Sequence, residues 1–131
     1  MKRTAINPWP WSVKYGFNQG ELIEGQSRVL YCSGQTAIDS DGLPQHAGDI
    51  RAQITLSLDN LEQVLRHADM TLSNVVRLVI YTTEPDLMAQ NFDVLGERLG
   101  TAGVKPAQTF LGVARLAFPE LLVELEATAV G

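Results

Sequence analysis

Val123-Glu124-Leu125-Glu126-Ala127-Thr128-Ala129-Val130 alternates without a break. Val123, Leu125, Ala127 and Ala129 share one parity, and Glu124, Glu126 and Thr128 the other. A period of two is that of a strand packed on one face. Its other face carries two carboxylates, which must meet water or a polar pocket because a buried unpaired carboxylate is costly. Upstream, after Pro106, Ala107-Gln108-Thr109-Phe110-Leu111-Gly112-Val113-Ala114 reads as a further strand.

Working back from these two, Val75 to Thr83 is apolar and β-branched on both parities, as in a strand covered on two faces. Pro85 opens a helix with Thr83 as its N-cap, a stripe of Met88, Phe92, Leu95 and Leu99, and Gly100 to end it. Between 49 and 68, Ile50, Ile54, Leu58, Leu61 and Leu65 recur at helical spacing. Asp39-Ser40-Asp41-Gly42 is a turn. Gly16 to Ile23 and Arg28 to Gln35 read as a hairpin about Glu24-Gly25-Gln26-Ser27. Residues 1–14 are expected to be an extended, non-helical arm, since Pro8 and Pro10 push their predecessors to extended backbone, with Trp9 and Trp11 packed down.

The order is β-β-α-β-α-β-β in one domain over 1–131, an α+β fold with a single sheet and both helices on one face. The other face has no cover of its own, yet Val29, Tyr31, Val79 and Tyr81 fall on a parity opposite to Leu30, Cys32, Leu78 and Ile80. An exposed apolar face of that size predicts self-association, with any pocket between subunits.

A composition of 45% hydrophobic and 19% charged residues is that of a folded globular chain. The net charge of −5, without a basic stripe, disfavours nucleic acid and anionic membranes as partners. No stretch is long enough to span a bilayer. A lone Cys32 forms no intrachain disulfide and fits a reducing cytoplasm. His46, His67 and Cys32 have no familiar ligand spacing, so no metal is expected. Cys32 reads as a small buried thiol rather than a nucleophile.

Ser33-Gly34-Gln35, Ser57-Leu58-Asp59-Asn60-Leu61, Val113-Ala114-Arg115-Leu116 and the terminal strand, in this order and spacing, resemble the Rid family (RidA, or YjgF), from about Gly16 onward. The resemblance implies a chorismate-mutase-like fold, a homotrimer with sheets facing inward, and three inter-subunit clefts. It also implies cofactor-free hydrolysis of reactive enamines and imines to a keto acid and ammonia. Carried over, the family's water-holding glutamate is Glu124, its helix asparagine is Asn91, the Ser33-Gly34 turn is intact, and its cleft-mouth aromatic is Phe17. Thr109 and Phe110 join the substrate-binding set, Phe110 standing where a cysteine is frequent.

The family's carboxylate-clamping arginine is replaced by Gln108, in Pro106-Ala107-Gln108. Exchanging a charged two-pronged donor for one neutral amide costs about 2 to 4 kcal/mol of carboxylate binding, roughly thirtyfold to thousandfold. Arg77 and Arg115 are candidate replacement cations, although Arg115 also suits a structural ion pair. Two functions stay open: an enamine or imine hydrolase acting on a small reactive metabolite, with Glu124 as catalytic base, and a non-catalytic small-molecule-binding or interaction module. Glu124 could equally be a structural carboxylate, and Gln108 a plain strand residue.

Overall fold

The structure, a computed structural model, describes residues 1–131. Six strands and three α-helices are arranged as β1 (Lys2–Ile6), β2 (Gly20–Glu24), β3 (Val29–Gln35), α1 (Ile50–His67), β4 (Val75–Thr82), α2 (Pro85–Ala89), α3 (Phe92–Thr101), β5 (Ala107–Gly112) and β6 (Val123–Val130). The main sheet has the order β3-β6-β4-β5, antiparallel except for the parallel pair β4 and β5.

One face of this sheet carries the core. Leu125, Ala127 and Ala129 of β6 and Leu78 and Ile80 of β4 pack with Ile54, Leu58, Leu61 and Leu65 of α1 and Leu95 and Leu99 of α3. The alternation in β6 is therefore realised, with its apolar parity buried under the helices. Asp49 caps α1, its carboxylate accepting from the Ala52 N–H at 3.1 Å, and Arg66 and His67 sit in the last turn, where cations suit the helix dipole. On the opposite face lie Tyr31, Tyr81, Glu124, Glu126 and Thr128. Tyr31 is 80% exposed and Val29 also lies open, so the β3 side of this face is uncovered within the chain.

The N-terminal quarter departs from the sequence reading. β2 pairs with β1, not with β3, making a separate two-stranded ribbon instead of a hairpin extending one sheet. Past Gly25, which takes φ +74°, the chain is drawn to the far end of β6, where Ser27 and Arg28 donate to the Gly131 carbonyl. Arg3 clips the ribbon down: its guanidinium bonds Glu21 at 2.9 Å and the carbonyls of Ser73 and Val75 at 2.9 and 2.7 Å.

The arm of residues 1–14 is likewise not simply extended, because it contains β1 and a 3₁₀ helix over Pro10–Tyr15. Trp9 does obey its proline, with φ −122° and ψ 127°. Pro10 itself occupies the first helical position, where its missing N–H costs nothing. Trp9 and Trp11 remain 62% and 52% exposed, and Trp11 packs only edge-on against Tyr15 and Phe17.

The second predicted helix is broken into α2 and α3. Asn91 interrupts it, its amide donating to the Leu87 carbonyl at 2.8 Å and so competing with the backbone ladder. Thr83 is not the cap; α2 starts at Pro85, and the Thr82 hydroxyl accepts from the Glu84 N–H. Gly100 does not end α3, which closes at Gly103 with φ +73° and a bond from the Val104 N–H to Leu99.

Candidate functional site

Register divides the sequence-predicted site residues between the two faces of the sheet. In β5, Gln108 lies beside Leu78 and Phe110 beside Ile80, so both belong to the helix side. In β6, Glu124 lies beside Tyr81, on the open side. A single chain does not bring Gln108 and Glu124 together.

On the helix side, a cavity of about 500 Å³ lies between α3 and β5. Phe17, Gln108 and Phe110 line it, with Phe92, Leu95 and Leu99. Phe92 and Phe110 meet edge to face at 4.9 Å between ring centres. Tyr15, Gly16 and Phe17, at the end of the 3₁₀ helix, border it, and the Gln108 amide donates to the Gly16 carbonyl at 3.3 Å. Gly16, with φ +85°, makes the turn that leads to Phe17. Gln108 is therefore both a lining residue and a tie between β5 and this segment.

On the open side, β3 and β6 slip register between Cys32 and Gln35, making a bulge at Ser33 and Gly34. The Glu124 side chain lies against Gly34: a Cβ there would stand 2.6 Å from its Cδ and 2.7 Å from its Oε1. The Glu124 carboxyl is pushed up from the ordinary carboxylate range, first by burial and then by the neighbouring Glu126 charge. Glu126 accepts from the Tyr81 hydroxyl at 3.1 Å, whereas Glu124 has no hydrogen-bond partner within the chain. Tyr81 is pushed up in turn by burial and by its bond to Glu126.

The remaining predicted residues bond to other partners. Thr109, on the open side beside Val79, accepts from Arg77 at 2.5 Å. Asn91, at the start of α3, accepts from Arg51, which also makes a two-pronged pair with Asp93 at 2.8 Å. Neither of the two candidate cations borders the cavity: Arg77 is on the opposite face and Arg115 is exposed, bonded to the adjacent Leu116 carbonyl. The Cys32 thiol is buried and its pKa raised by burial, which fits packing rather than nucleophilic use. No three His, Cys, Asp or Glu side chains group where they could hold a metal ion.

Gln53 was invisible as a site-supporting residue in the sequence. It is fully buried on α1, donates to the carbonyls of His46 and Glu120 at 3.1 and 2.8 Å, and accepts from the Leu122 N–H at 2.8 Å. It thus fixes the entry into β6, two residues before Glu124. The available signal was a polar residue among the apolar positions of an amphipathic helix.

Several known proteins are similar to this chain. RutC family protein PH0854 of Pyrococcus horikoshii is 31% identical over 124 residues, covering 95% of this chain and 87% of that protein. The Yersinia pestis protein YyfB, described as a protein of unknown function of the conserved Rid family, superimposes with a TM-score of 0.87 at 37% identity, covering 99% of both chains. Rv2704 of Mycobacterium tuberculosis, a member of the YjgF/YER057c/UK114 family, gives a TM-score of 0.68 at 27% identity, covering 99% of this chain and 100% of that one. Residues 15–131 match the family described as Endoribonuclease L-PSP, and on that span the chain belongs to this family, known also as YjgF or Rid.

Proposed function

We propose that the protein is a Rid-type hydrolase of enamines and imines, working as a homotrimer. In this reading each site joins the α3–β5 cavity of one subunit to the Ser33, Gly34 and Glu124 face of its neighbour. The observation that carries it is Glu124. A half-buried carboxyl without a partner, held against a glycine and raised above the ordinary carboxylate range by burial and by the Glu126 charge, is a better proton acceptor from water than a free glutamate.

The reaction is R₂C=NH + H₂O → R₂C=O + NH₃, an enamine first tautomerising to the imine. Glu124 takes a proton from water as its oxygen attacks the imine carbon. The carbinolamine then expels ammonia, with the proton returned to nitrogen. The exposed Tyr31 and Val29 on the uncovered sheet face support self-association through that face. With a net charge of −5, the chain is a poor match to an RNA polyanion, whatever the family's name describes.

The experiment is ammonia release from imines made in situ by an amino-acid oxidase, for wild type and Glu124→Gln across pH. The rate should rise with pH through a value above that of an ordinary glutamate, and the variant should lose about a hundredfold or more. The stability signature runs the other way. A carboxyl whose folded-state pKa is raised contributes stability below its unfolded value and loses it as pH climbs through the folded value. Glu124→Gln should therefore be more stable than wild type at neutral pH, with no advantage in acid below both values. Unchanged turnover in the variant would remove Glu124 from the chemistry.

A second reading, a binding module without turnover, is favoured by Gln108. Its amide is taken up by Gly16 of its own chain. Ligand binding with no ammonia release would select it.

A further inference from the structure

The cavity between α3 and β5 has one formal charge in its lining, Lys105. This lysine makes no ion pair; the cations that do are Lys2, Arg3, Arg51 and Arg98. Its backbone is fixed on both sides. The preceding Val104 bonds the end of α3, the Lys105 carbonyl accepts from the Asn18 N–H at 3.1 Å, and Pro106 follows. The four-carbon stem is thus rooted at the cavity with its ammonium free to move.

The interior is the opposite in character. Phe17, Phe92, Phe110, Leu95 and Leu99 make an aromatic and aliphatic wall. Gly96 and Gly100 of α3 leave room in it, since a Cβ at either would meet nothing within 4 Å. About 500 Å³ is within the usual range for small-molecule sites, roughly 300 to 1,000 Å³.

We infer that this cavity takes a small amphipathic monoanion, an aromatic body with a single carboxylate, the ring lying against α3 and Phe110 and the carboxylate paired with Lys105. The inference rests on reading the cavity as the substrate side of the hydrolase. It moves the carboxylate-binding cation from position 108 to position 105 and names the substrates as imines of aromatic 2-amino acids.

The test is calorimetric titration with 3-phenylpropanoate and its neutral isostere 3-phenylpropanamide. Wild type should bind the acid about twofold to fivefold more tightly than the amide, the margin of a partly exposed charge pair. Lys105→Met should erase that margin while leaving the amide's affinity unchanged, and Lys105→Arg should retain it. Gly100→Leu and, independently, Gly96→Leu should weaken both probes by filling the cavity. Equal affinity of wild type for the two probes, a margin that survives Lys105→Met, or failure of both to bind would overturn the inference. Imine hydrolysis untouched by Lys105→Met would leave the hydrolase reading standing without it. Binding as expected with no turnover would do the reverse.

Discussion

Replacing Gln53 by Leu keeps the shape of a fully buried side chain and removes three hydrogen bonds. The three losses are unequal. The His46 carbonyl keeps a second donor, the Asp49 N–H at 3.0 Å, and Glu120 is exposed, so its carbonyl can turn to water. The Leu122 N–H has no such recourse. Leaving this part-buried N–H unmet costs about 1 to 3 kcal/mol, and the weakened carbonyl bonds add about 1 kcal/mol between them. A loss of about 2 to 4 kcal/mol follows. With an unfolding entropy near 2.1 cal/mol/K per residue over 131 residues, the melting temperature should fall by about 7 to 15 °C.

Urea unfolding and thermal melts at equal protein concentration read this directly. Gln53→Glu should be worse than Gln53→Leu at neutral pH, because its carboxylate would face two carbonyl oxygens, and the gap should close in acid as the carboxyl protonates. Since Leu122 leads into β6, the Glu124 carboxyl in Gln53→Leu should also titrate closer to its ordinary range in an NMR pH series. A loss below about 1 kcal/mol with an unchanged fold would refute the reasoning, as would an unmoved Glu124.

Gly34→Ala should displace the Glu124 carboxylate from the bulge at a cost of about 1 kcal/mol of stability, the order of an off-rotamer side chain, and lower imine turnover by more than stability alone explains; Glu124 chemical shifts check it. Gln108→Arg should raise turnover of carboxylate-bearing imines, and Glu124→Ala in the same background should cancel the gain; a folded Gln108→Arg protein without imine turnover would favour the binding module. Light scattering should give three times the 14.3 kDa chain mass, and Tyr31→Glu, on the uncovered face, should drive it towards that of one chain.

What the sequence disclosed depended on how local the determining pattern is. α1 was bounded to within a residue at each end because its apolar stripe lies within one continuous segment. β4 and β6 were equally plain from their side-chain parity. The N-terminal ribbon was not, since nothing in Gly20–Glu24 states whether its partner comes before or after it, and the deciding contacts of Arg3 lie some seventy residues away. For the site, the alternation of Glu124 and the replacement at Gln108 were legible. That they occupy opposite faces required the register of β5 against β4. Lys105 carries no periodic signal, because it stands in the short link between α3 and β5.

β6 lies between β3 and β4, although it is last in chain order. A chain emerging from the ribosome has no main sheet to close until Val130 is free of the exit tunnel, since β3 touches β4 only through β6. Until then α1 and α3 have half a floor to pack on, and β3 and β4 each offer an open edge to other chains. Newly made protein should therefore depend on chaperones up to the moment β6 arrives, and removal of even a few residues from β6 should yield an aggregate rather than a weakened fold.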